Sequence, residues 1–267
     1  QLRVADPYTG AVEDVFQEEV ATYYESGLNR VNWRVFPERM EFLWFSEQDN
    51  WGHLYLRDLR TGMLKRQLTA GNWSVLQVQQ LDLENEQIYF LASNREVGDP
   101  YYQYLYRINM DGTGLELLTS ESANHEITWS ESGEYFTDIF STPTLAPRAV
   151  VRNRSGEITL SLEQVDLGAL FASGWVAPIP FTAKARDQLS DLHGLLYKPS
   201  NFDAGKSYPI LNYLYPGPQT GSVGTRSFRA SRADKQSLAE LGFIVVEVDA
   251  MGTPGRSKAF HDAYYGD

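Results

Sequence analysis

Residues 54–62 read Leu-Tyr-Leu-Arg-Asp-Leu-Arg-Thr-Gly, an apolar strand that runs into a polar turn closed by glycine. Three other segments share this pattern: Leu2-Arg-Val-Ala-Asp-Pro-Tyr-Thr-Gly10, Leu105-Tyr-Arg-Ile-Asn-Met-Asp-Gly-Thr-Gly114 and Val150-Val-Arg-Asn-Arg-Ser-Gly156. Asp or Asn opens each turn and Gly supplies a positive φ angle, which is typical of β-hairpins. The turn glycines recur at intervals of about 42 to 52 residues, so the sequence predicts a repeat built from hairpins.

A second pair of apolar segments lies between these hairpins. Strands are predicted at residues 31–33 and 42–45 in one repeat and at 127–129 and 135–140 in another. Each repeat then holds about four strands, the size of a β-propeller blade, whereas tandem β-sandwich domains would repeat at about 90 to 100 residues. About three and a half blades are visible and a propeller closes with about four to eight, so we expect further blades before Gln1 or an open fan.

The hairpin pattern stops after Val165. Residues 166–180 contain two glycines and two prolines and are predicted to cross between domains, with a boundary near Trp175. Beyond it, strands are predicted at 188–196, 208–215 and 243–248, with a helix over 231–241. The predicted fold is therefore all-β propeller blades over residues 1–174, followed over residues 175–267 by the N-terminal part of an α/β domain.

The later part of the chain carries a family resemblance. Residues 206–218 read Lys-Ser-Tyr-Pro-Ile-Leu-Asn-Tyr-Leu-Tyr-Pro-Gly-Pro, and residues 242–249 and 252–256 read Gly-Phe-Ile-Val-Val-Glu-Val-Asp and Gly-Thr-Pro-Gly-Arg. These motifs resemble the entry to the catalytic domain of the prolyl oligopeptidase clan, and within it the dipeptidyl peptidase IV branch. Residues 51–55 and 68–75 are similar to the late blades of that branch.

The resemblance implies an internal fragment of a serine peptidase, made of late propeller blades and the first strands of an α/β-hydrolase domain. The parent would release N-terminal dipeptides, often X-Pro, from peptides with a free N-terminus through an acyl-enzyme. The resemblance maps one functional residue, Tyr215, whose hydroxyl would donate to the oxyanion of the tetrahedral intermediate. The structural alternative is a strand-end tyrosine that packs its ring and hydrogen-bonds locally.

The triad of such a peptidase is predicted to lie outside these residues. The chain has no Gly-x-Ser-x-Gly motif, and Ser257, in Gly-Arg-Ser-Lys-Ala, is predicted to be a loop serine. His53 and His125 fall in predicted blades, His193 in a predicted strand and His261 in a predicted helix. Because the family order is Ser, Asp, His, all three residues would follow Asp267, and this chain alone is predicted to be inactive.

The dipeptidyl branch also uses a pair of glutamates in the propeller to hold the amino terminus of the substrate. Glu18-Glu19 is a candidate for that pair, with a solvated edge strand or turn as the alternative. Two departures from the family pattern stand out. Met251 replaces a common Arg, which predicts the loss of a structural salt bridge, and Pro216 follows Tyr215 where Gly or Ala is usual.

Composition excludes several classes of partner. The formal charge of −12 is spread along the chain and disfavours nucleic acid and anionic membranes. The absence of cysteine excludes disulfides and thiolate metal sites, and neither a metal nor another cofactor is predicted from the remaining spacings. The resemblance favours a periplasmic, secreted or membrane-tethered location over the cytoplasm and allows a homodimer of the full-length parent.

Two rival functions remain open. A non-enzymatic propeller protein that binds peptides or proteins would have lost its triad, and Met251 is its sequence support. An oligopeptidase or an acylaminoacyl peptidase of the same clan is the enzymatic rival. A further expectation concerns packing: the unfinished sheet should expose apolar surface around residues 210–214 and 244–248.

Overall fold

The computed structural model describes residues 1–28, 30–215 and 217–266, and its strands form five sheets. The two-stranded sheet contains β1 (Leu2–Ala5) and β2 (Val12–Phe16). The first blade contains β3 (Arg34–Phe36), β4 (Glu41–Ser46), β5 (His53–Asp58) and β6 (Leu64–Gln67). The middle blade contains β7 (Ser74–Asp82), β8 (Gln87–Ser93), β9 (Tyr104–Asn109) and β10 (Glu116–Leu117). The last blade contains β11 (Asn124–Trp129), β12 (Tyr135–Ser141), β13 (Arg148–Asn153) and β14 (Ile158–Gln164).

A fifth sheet, the mixed sheet, follows the blades. It contains β15 (Ile179–Lys184), β16 (Asp191–Tyr197), β17 (Ile210–Tyr213) and β18 (Ile244–Asp249). The α-helices are α1 (Gly168–Ala172), α2 (Lys235–Glu240) and α3 (Lys258–His261), and a 3-10 helix spans Pro37–Arg39. Within the described residues, every helix is too short or too polar to span a bilayer.

The three blades are antiparallel meanders whose strands pair in chain order, as predicted. The four repeated turns join β1 to β2, β5 to β6, β9 to β10 and β13 to β14, so they are equivalent turns of successive sheets. Gly62 has φ +69°, and a Cβ there would overlap the carbonyl oxygen of Val15 in β2. Glycine is therefore required both for the turn and for the approach of one sheet to the next. Over the described residues the sheets do not close into a ring.

One predicted strand is wrong. Residues 31–33 are not a strand, and β3 begins only at Arg34. The side chain of Asn32 replaces strand pairing: its Nδ2 donates to the carbonyl oxygen of Leu76 at 3.0 Å, and its Oδ1 accepts from the backbone N–H of Val78 at 2.8 Å. This buried amide ties the segment before β3 to β7, an edge strand of the middle blade.

The middle blade buries both of its faces. Alternate residues of a strand point to opposite faces, and in β8 Ile88 and Phe90 face the first blade while Tyr89 and Leu91 face the last blade. The rings of Trp73 and Phe90 stack with centroids 6.2 Å apart and an interplanar angle of 8°. The core of the blades is thus a set of apolar layers between sheets.

The mixed sheet differs in topology. Its strand order is β15-β16-β18-β17, with β17 parallel to β18 and the other pairs antiparallel. Helix α2 connects the parallel strands and packs Ala239 against Leu195 and Val245. The sequence missed β15, because the stretch over 166–180 was predicted only as a crossing segment, whereas it contains α1 and the beginning of this strand. Strand β15 can contain Pro180 because it lies at an edge of the sheet.

The expected apolar exposure is confirmed for one strand and wrong for the other. Ile210 is 67% exposed and Leu214 is 55% exposed, because β17 lies at the open edge of the mixed sheet. Residues 244–248 are buried or half-buried, since β18 lies between β16 and β17 and beneath α2.

Candidate functional site

A cavity lies at the carboxyl ends of the two parallel strands. Because β17 and β18 are parallel, Leu214 and Tyr215 leave the sheet at the same edge as Ala250 and Met251. These four residues line a cavity of about 460 Å³. Open α/β sheets bind ligands at this edge, which makes the cavity the candidate site.

Tyr215 is held by its backbone while its phenol stays available. Its N–H donates to Ser222 Oγ at 3.0 Å, and the residue is 51% exposed. A Cβ on Gly217 would lie 2.7 Å from Tyr215 Cε1, so the glycine leaves room for the ring. Within the described residues the Tyr215 hydroxyl makes no hydrogen bond. It can therefore donate to an oxygen atom in the cavity. Pro216 lies outside the described residues.

Asp249, at the end of β18, has a cationic partner although residue 251 is a methionine. Arg226 Nη2 lies 2.7 Å from Asp249 Oδ2, and Arg226 Nε lies 2.9 Å from Asp99 Oδ2. The guanidinium also stacks over the ring of Tyr101 at 4.4 Å. Burial lowers the pKa of Arg226, but the two aspartates more than offset that effect and hold the pKa above its ordinary value. Arg226 thus joins the middle blade to the mixed sheet through a half-buried ion pair with Asp99 and a buried one with Asp249.

Helix α3 forms a second contact with the blades. Lys258 Nζ donates to the carbonyl oxygen of Tyr23 at 2.8 Å and lies 2.9 Å from Asp262 Oδ2. Glu47 is 9% exposed and its Oε2 lies 3.9 Å from Lys258 Nζ. Burial raises the pKa of Glu47 to about 8, Lys258 opposes the shift, and the nearby acidic side chains add to it. This contact therefore contains a carboxyl group that titrates near neutral pH.

Several cavity residues were missed by sequence reasoning. Tyr23, from the segment between β2 and β3, lines the cavity together with Tyr264 and Tyr265 from the segment after α3. His261 places Nε2 2.8 Å from the carbonyl oxygen of Pro218, and its ring lies 5.2 Å from that of Tyr23. The run Ala-Tyr-Tyr-Gly over 263–266 was the available signal, but nothing local to Tyr23 indicated contact with residues more than 200 positions away.

Glu18 and Glu19 lie in the loop after β2 and do not line the cavity of Tyr215. Glu18 accepts hydrogen bonds from Trp44 Nε1 at 2.5 Å and from Ser46 Oγ, and it lines a different cavity of about 360 Å³. Glu19 is exposed and accepts from Gln17 Nε2. The role of the pair in binding an amino terminus stays a prediction.

Ser257 is the N-cap residue of α3. Its Oγ caps α3 by accepting from the backbone N–H of Phe260 at 3.2 Å. Of the blade histidines, His53 is held between Thr69 Oγ1 and the carbonyl oxygen of Gly71, and His125 is paired with Asp138. Among the residues that the structure describes, none of these groups forms a Ser-His-Asp arrangement.

One cluster combines groups that can bind metals. Glu121, His125 and Asp138 bring potential ligand atoms within 4.8 Å of one another. Arg152 already supplies the positive charge there, with Nε 2.9 Å from Asp138 and Nη2 2.6 Å from Glu121. The cluster is therefore accounted for as a largely buried ion-pair network of the last blade.

A larger cavity of about 800 Å³ lies between the blades and the mixed sheet. Its blade side is formed by β7, β11 and the segment before β3, which contributes Arg30. Its opposite side is formed by residues 219–226 and 253–255. The Tyr215 cavity and this one share Thr253, so the two are neighbours.

Residues 1–147 match the family model for the dipeptidyl peptidase IV (DPP IV) N-terminal region. The chain belongs to this family. The predicted dipeptidyl peptidase IV-like resemblance is thus confirmed over more than half of the sequence. The matched part forms the two-stranded sheet, the first and middle blades, and the strands β11 and β12 of the last blade.

Two curated relatives of this family member are fungal proteins. The chain is 30% identical over 194 residues to the probable dipeptidyl-aminopeptidase B of Penicillium rubens, covering 70% of the chain and 21% of the relative. It is 29% identical over 193 residues to the corresponding protein of Neosartorya fischeri, covering 70% of the chain and 20% of the relative. The chain therefore spans about a fifth of the length of these relatives.

Two solved structures share the fold. Dipeptidyl peptidase 4 of Porphyromonas gingivalis superposes with a TM-score of 0.80 at 22% identity, covering 98% of this chain and 36% of that one. A putative dipeptidyl aminopeptidase IV from Bacteroides ovatus superposes with a TM-score of 0.69 at 24% identity, covering 84% of this chain and 34% of that one. The fold of the DPP IV family member is thus shared with proteins of which it covers about a third.

Proposed function

We propose that this chain is part of a serine exopeptidase that releases N-terminal dipeptides, often X-Pro, from peptides with a free N-terminus. Family membership supports a dipeptidyl peptidase. The observation that carries the proposal further is the half-exposed Tyr215 hydroxyl, without a hydrogen bond within the described residues, at the carboxyl end of a parallel strand.

The proposed chemistry assigns one step to this chain. When a nucleophile attacks the carbonyl carbon of a peptide bond, the carbonyl oxygen becomes an oxyanion. The Tyr215 hydroxyl donates to that oxygen, and a single donor of this kind contributes about 3 to 4 kcal/mol of transition-state stabilisation. The serine nucleophile and its Asp and His partners are assigned to the parent protein outside these residues, so this chain alone is expected not to turn over.

Residues 175–267 are proposed to be the first part of an α/β-hydrolase domain, and residues 1–174 the late blades of the propeller. Support comes from the change from antiparallel meanders to a mixed sheet with a helix between parallel strands. Trp175 lies at the proposed boundary, where its Nε1 donates to the carbonyl oxygen of Ala230 at 2.8 Å. An extracytoplasmic location and a homodimer of the parent belong to the same proposal.

The test is a Tyr215→Phe substitution in the whole protein that contains this chain. Hydrolysis of Gly-Pro-p-nitroanilide should lose about 100- to 1,000-fold in kcat with little change in KM, because the lost donor acts on the transition state. Tyr8→Phe is the matched control, since Tyr8 is 97% exposed in the β1–β2 turn and should keep full activity. A Tyr215→Phe enzyme with unchanged kcat would contradict the oxyanion role.

The 267-residue chain supplies a second test. It should show no saturable hydrolysis of the same anilide. Hydrolysis by this chain that disappears in Ser257→Ala would overturn the assignment of the nucleophile to the rest of the parent.

A non-enzymatic peptide-binding propeller is the second candidate. Met251, at the wall of the Tyr215 cavity, is the residue that favours it. The pairing of Asp249 with Arg226 weakens that support, because the strand end keeps its ion pair without an arginine at 251. Peptide binding by the whole protein without any hydrolysis would favour this candidate over the peptidase.

A further inference from the structure

Two arginines face the large cavity between the blades and the mixed sheet, and they differ in their partners. Arg226 is paired with two carboxylates and has a side chain only 2% exposed. Arg30 lines the same cavity and also the neighbouring cavity that contains Glu18 and Trp44. Among the described residues, no carboxylate oxygen lies within 4 Å of its guanidinium nitrogens. Arg30 is thus a cavity-lining cation without a counter-ion in this part of the chain.

The surroundings of Arg30 hold the guanidinium in place without neutralising it. Its Nη1 donates to Gln77 Oε1, which also accepts from Gln79 Nε2 at 2.9 Å. The backbone N–H of Arg30 donates to the carbonyl oxygen of Gly27 at 3.1 Å. Half-burial lowers the pKa of Arg30 below its ordinary value, yet an arginine remains charged at neutral pH. With respect to the described residues, the remaining guanidinium donors are therefore free for a ligand in the cavity.

We propose that Arg30 binds a carboxylate of the peptide ligand in the large cavity. This inference rests on the proposed function for the statement that the ligand is a peptide. The carboxylate can be the C-terminal group of a short peptide or an acidic side chain, since both present the same pair of oxygens to the planar guanidinium.

The net charge of the chain would repel an anionic ligand, so carboxylate binding would have to come from a local cation. The chain carries a formal charge of −12, so its overall field opposes an anionic ligand. In the same cavity, Glu126 on the blade side accepts a hydrogen bond from Ser227 Oγ at 2.6 Å, and Asp249 on the opposite side is paired with Arg226. A preference for a carboxylate over its neutral analogue would thus need a specific cation, and within the described residues Arg30 is the arginine of this cavity that is not paired with a carboxylate.

The experiment measures binding rather than hydrolysis and uses the 267-residue chain with two peptide pairs in isothermal titration calorimetry. One pair is Ala-Pro-Ala-Ala as the free acid and as the C-terminal amide. The other is Ala-Pro-Glu-Ala amide and Ala-Pro-Gln-Ala amide. We expect the chain to bind the carboxylate member of at least one pair about tenfold more tightly, the effect of a hydrogen-bonded charge in a partly buried site. The pair that responds identifies the source of the carboxylate.

The variants are Arg30→Gln, Arg30→Lys and the control Arg60→Gln. Arg30→Gln should abolish the carboxylate preference, Arg30→Lys should keep part of it, and Arg60→Gln should keep it fully, because Arg60 lies exposed in the β5–β6 turn. Thermal melting of each variant checks that it is folded. If Arg30→Gln does not fold, the reduced carboxylate preference of Arg30→Lys provides the test. A wild-type chain that prefers neither carboxylate, or a preference that both Arg30 variants keep in full, would overturn the inference.

Failure of the inference is distinguishable from failure of the proposed function. A carboxylate preference that depends on Arg30, together with a whole protein that never hydrolyses Gly-Pro-p-nitroanilide, would retain the binding site and reject the peptidase. Normal hydrolysis together with no carboxylate preference would retain the peptidase and reject the role of Arg30.

Discussion

The middle blade and the mixed sheet each contain four strands but bury them to different degrees. In the middle blade, Ile88, Tyr89 and Phe90 are all fully buried, because a neighbouring blade covers each face. In the mixed sheet, α2 packs against Val245 while Ile210 at the open edge is 67% exposed. The difference shows that burial here depends on the neighbours of a sheet rather than on its own strand count.

The largest expected effect is in the middle blade. Phe90→Ala should lower the free energy of unfolding by about 3 to 5 kcal/mol, because the ring is fully buried between Trp73 and Tyr106 and its removal leaves a cavity. The matched substitution in the mixed sheet, Ile210→Ala, should change it by less than about 0.5 kcal/mol. Urea denaturation of both variants measures the contrast, and equal losses would refute it.

A smaller effect on the free energy of unfolding is expected at the contact between α3 and the blades. The folded-state pKa of Glu47 is raised from 4.5 to about 8, so the folded protein holds a proton that the unfolded chain has already released. This contribution to stability is fully present below about pH 4.5 and is lost as pH rises through about 8. Between pH 6 and pH 8 the loss should be about 2 kcal/mol.

Two variants isolate that pH dependence. Urea denaturation at several pH values should show a slope that Glu47→Gln removes, because the amide does not titrate. Glu131→Gln is the control, since Glu131 is exposed in the turn of the last blade and should leave the slope unchanged. A slope of the same size in the Glu47 variant would rule out Glu47 as its source.

The smallest change in stability is expected at the open edge of the mixed sheet. Ile210→Lys should alter the free energy of unfolding by less than about 0.5 kcal/mol, since the side chain is mostly exposed. It should nevertheless reduce self-association of the 267-residue chain, because a lysine on an edge strand opposes pairing with another strand. Sedimentation velocity at increasing concentration measures the association, and a wild-type chain that stays monomeric throughout would remove the basis for this prediction.

The blades were the part most open to prediction from sequence. Each contains a turn whose chemistry is local, as in Asp58 and Gly62, where Asp58 Oδ1 accepts from the backbone N–H groups of Arg60 and Thr61 at 2.9 Å. Recurrence of that turn predicted the hairpins and the meander order. The strand at 31–33 was predicted because a polar residue between Val31 and Trp33 resembles the alternation of a strand. In the structure, the Asn32 side chain instead hydrogen-bonds backbone groups of β7.

The candidate site was only partly predictable. Tyr215 was predicted because its flanking residues resemble a family motif, and the strand order places it at a cavity, while its role in catalysis stays a prediction. The ion pair between Arg226 and Asp99 joins residues 127 positions apart, and the contact of Thr22 with Asp262 joins residues 240 positions apart. Such pairs depend on how two sheets pack, which hydrophobic periodicity and turn chemistry do not encode.

The position of Arg226 between Asp99 and Asp249 also has a consequence for the order of folding. The blades are built from pairings between neighbouring strands, so each can form soon after its own residues are available. Asp99 lies in the β8–β9 loop of the middle blade and Asp249 at the end of β18, and Arg226 is neutralised only after both parts have been assembled. We therefore expect docking of the mixed sheet on the blades to be a late step, in which the burial of one arginine makes a half-docked state costly and the final step cooperative.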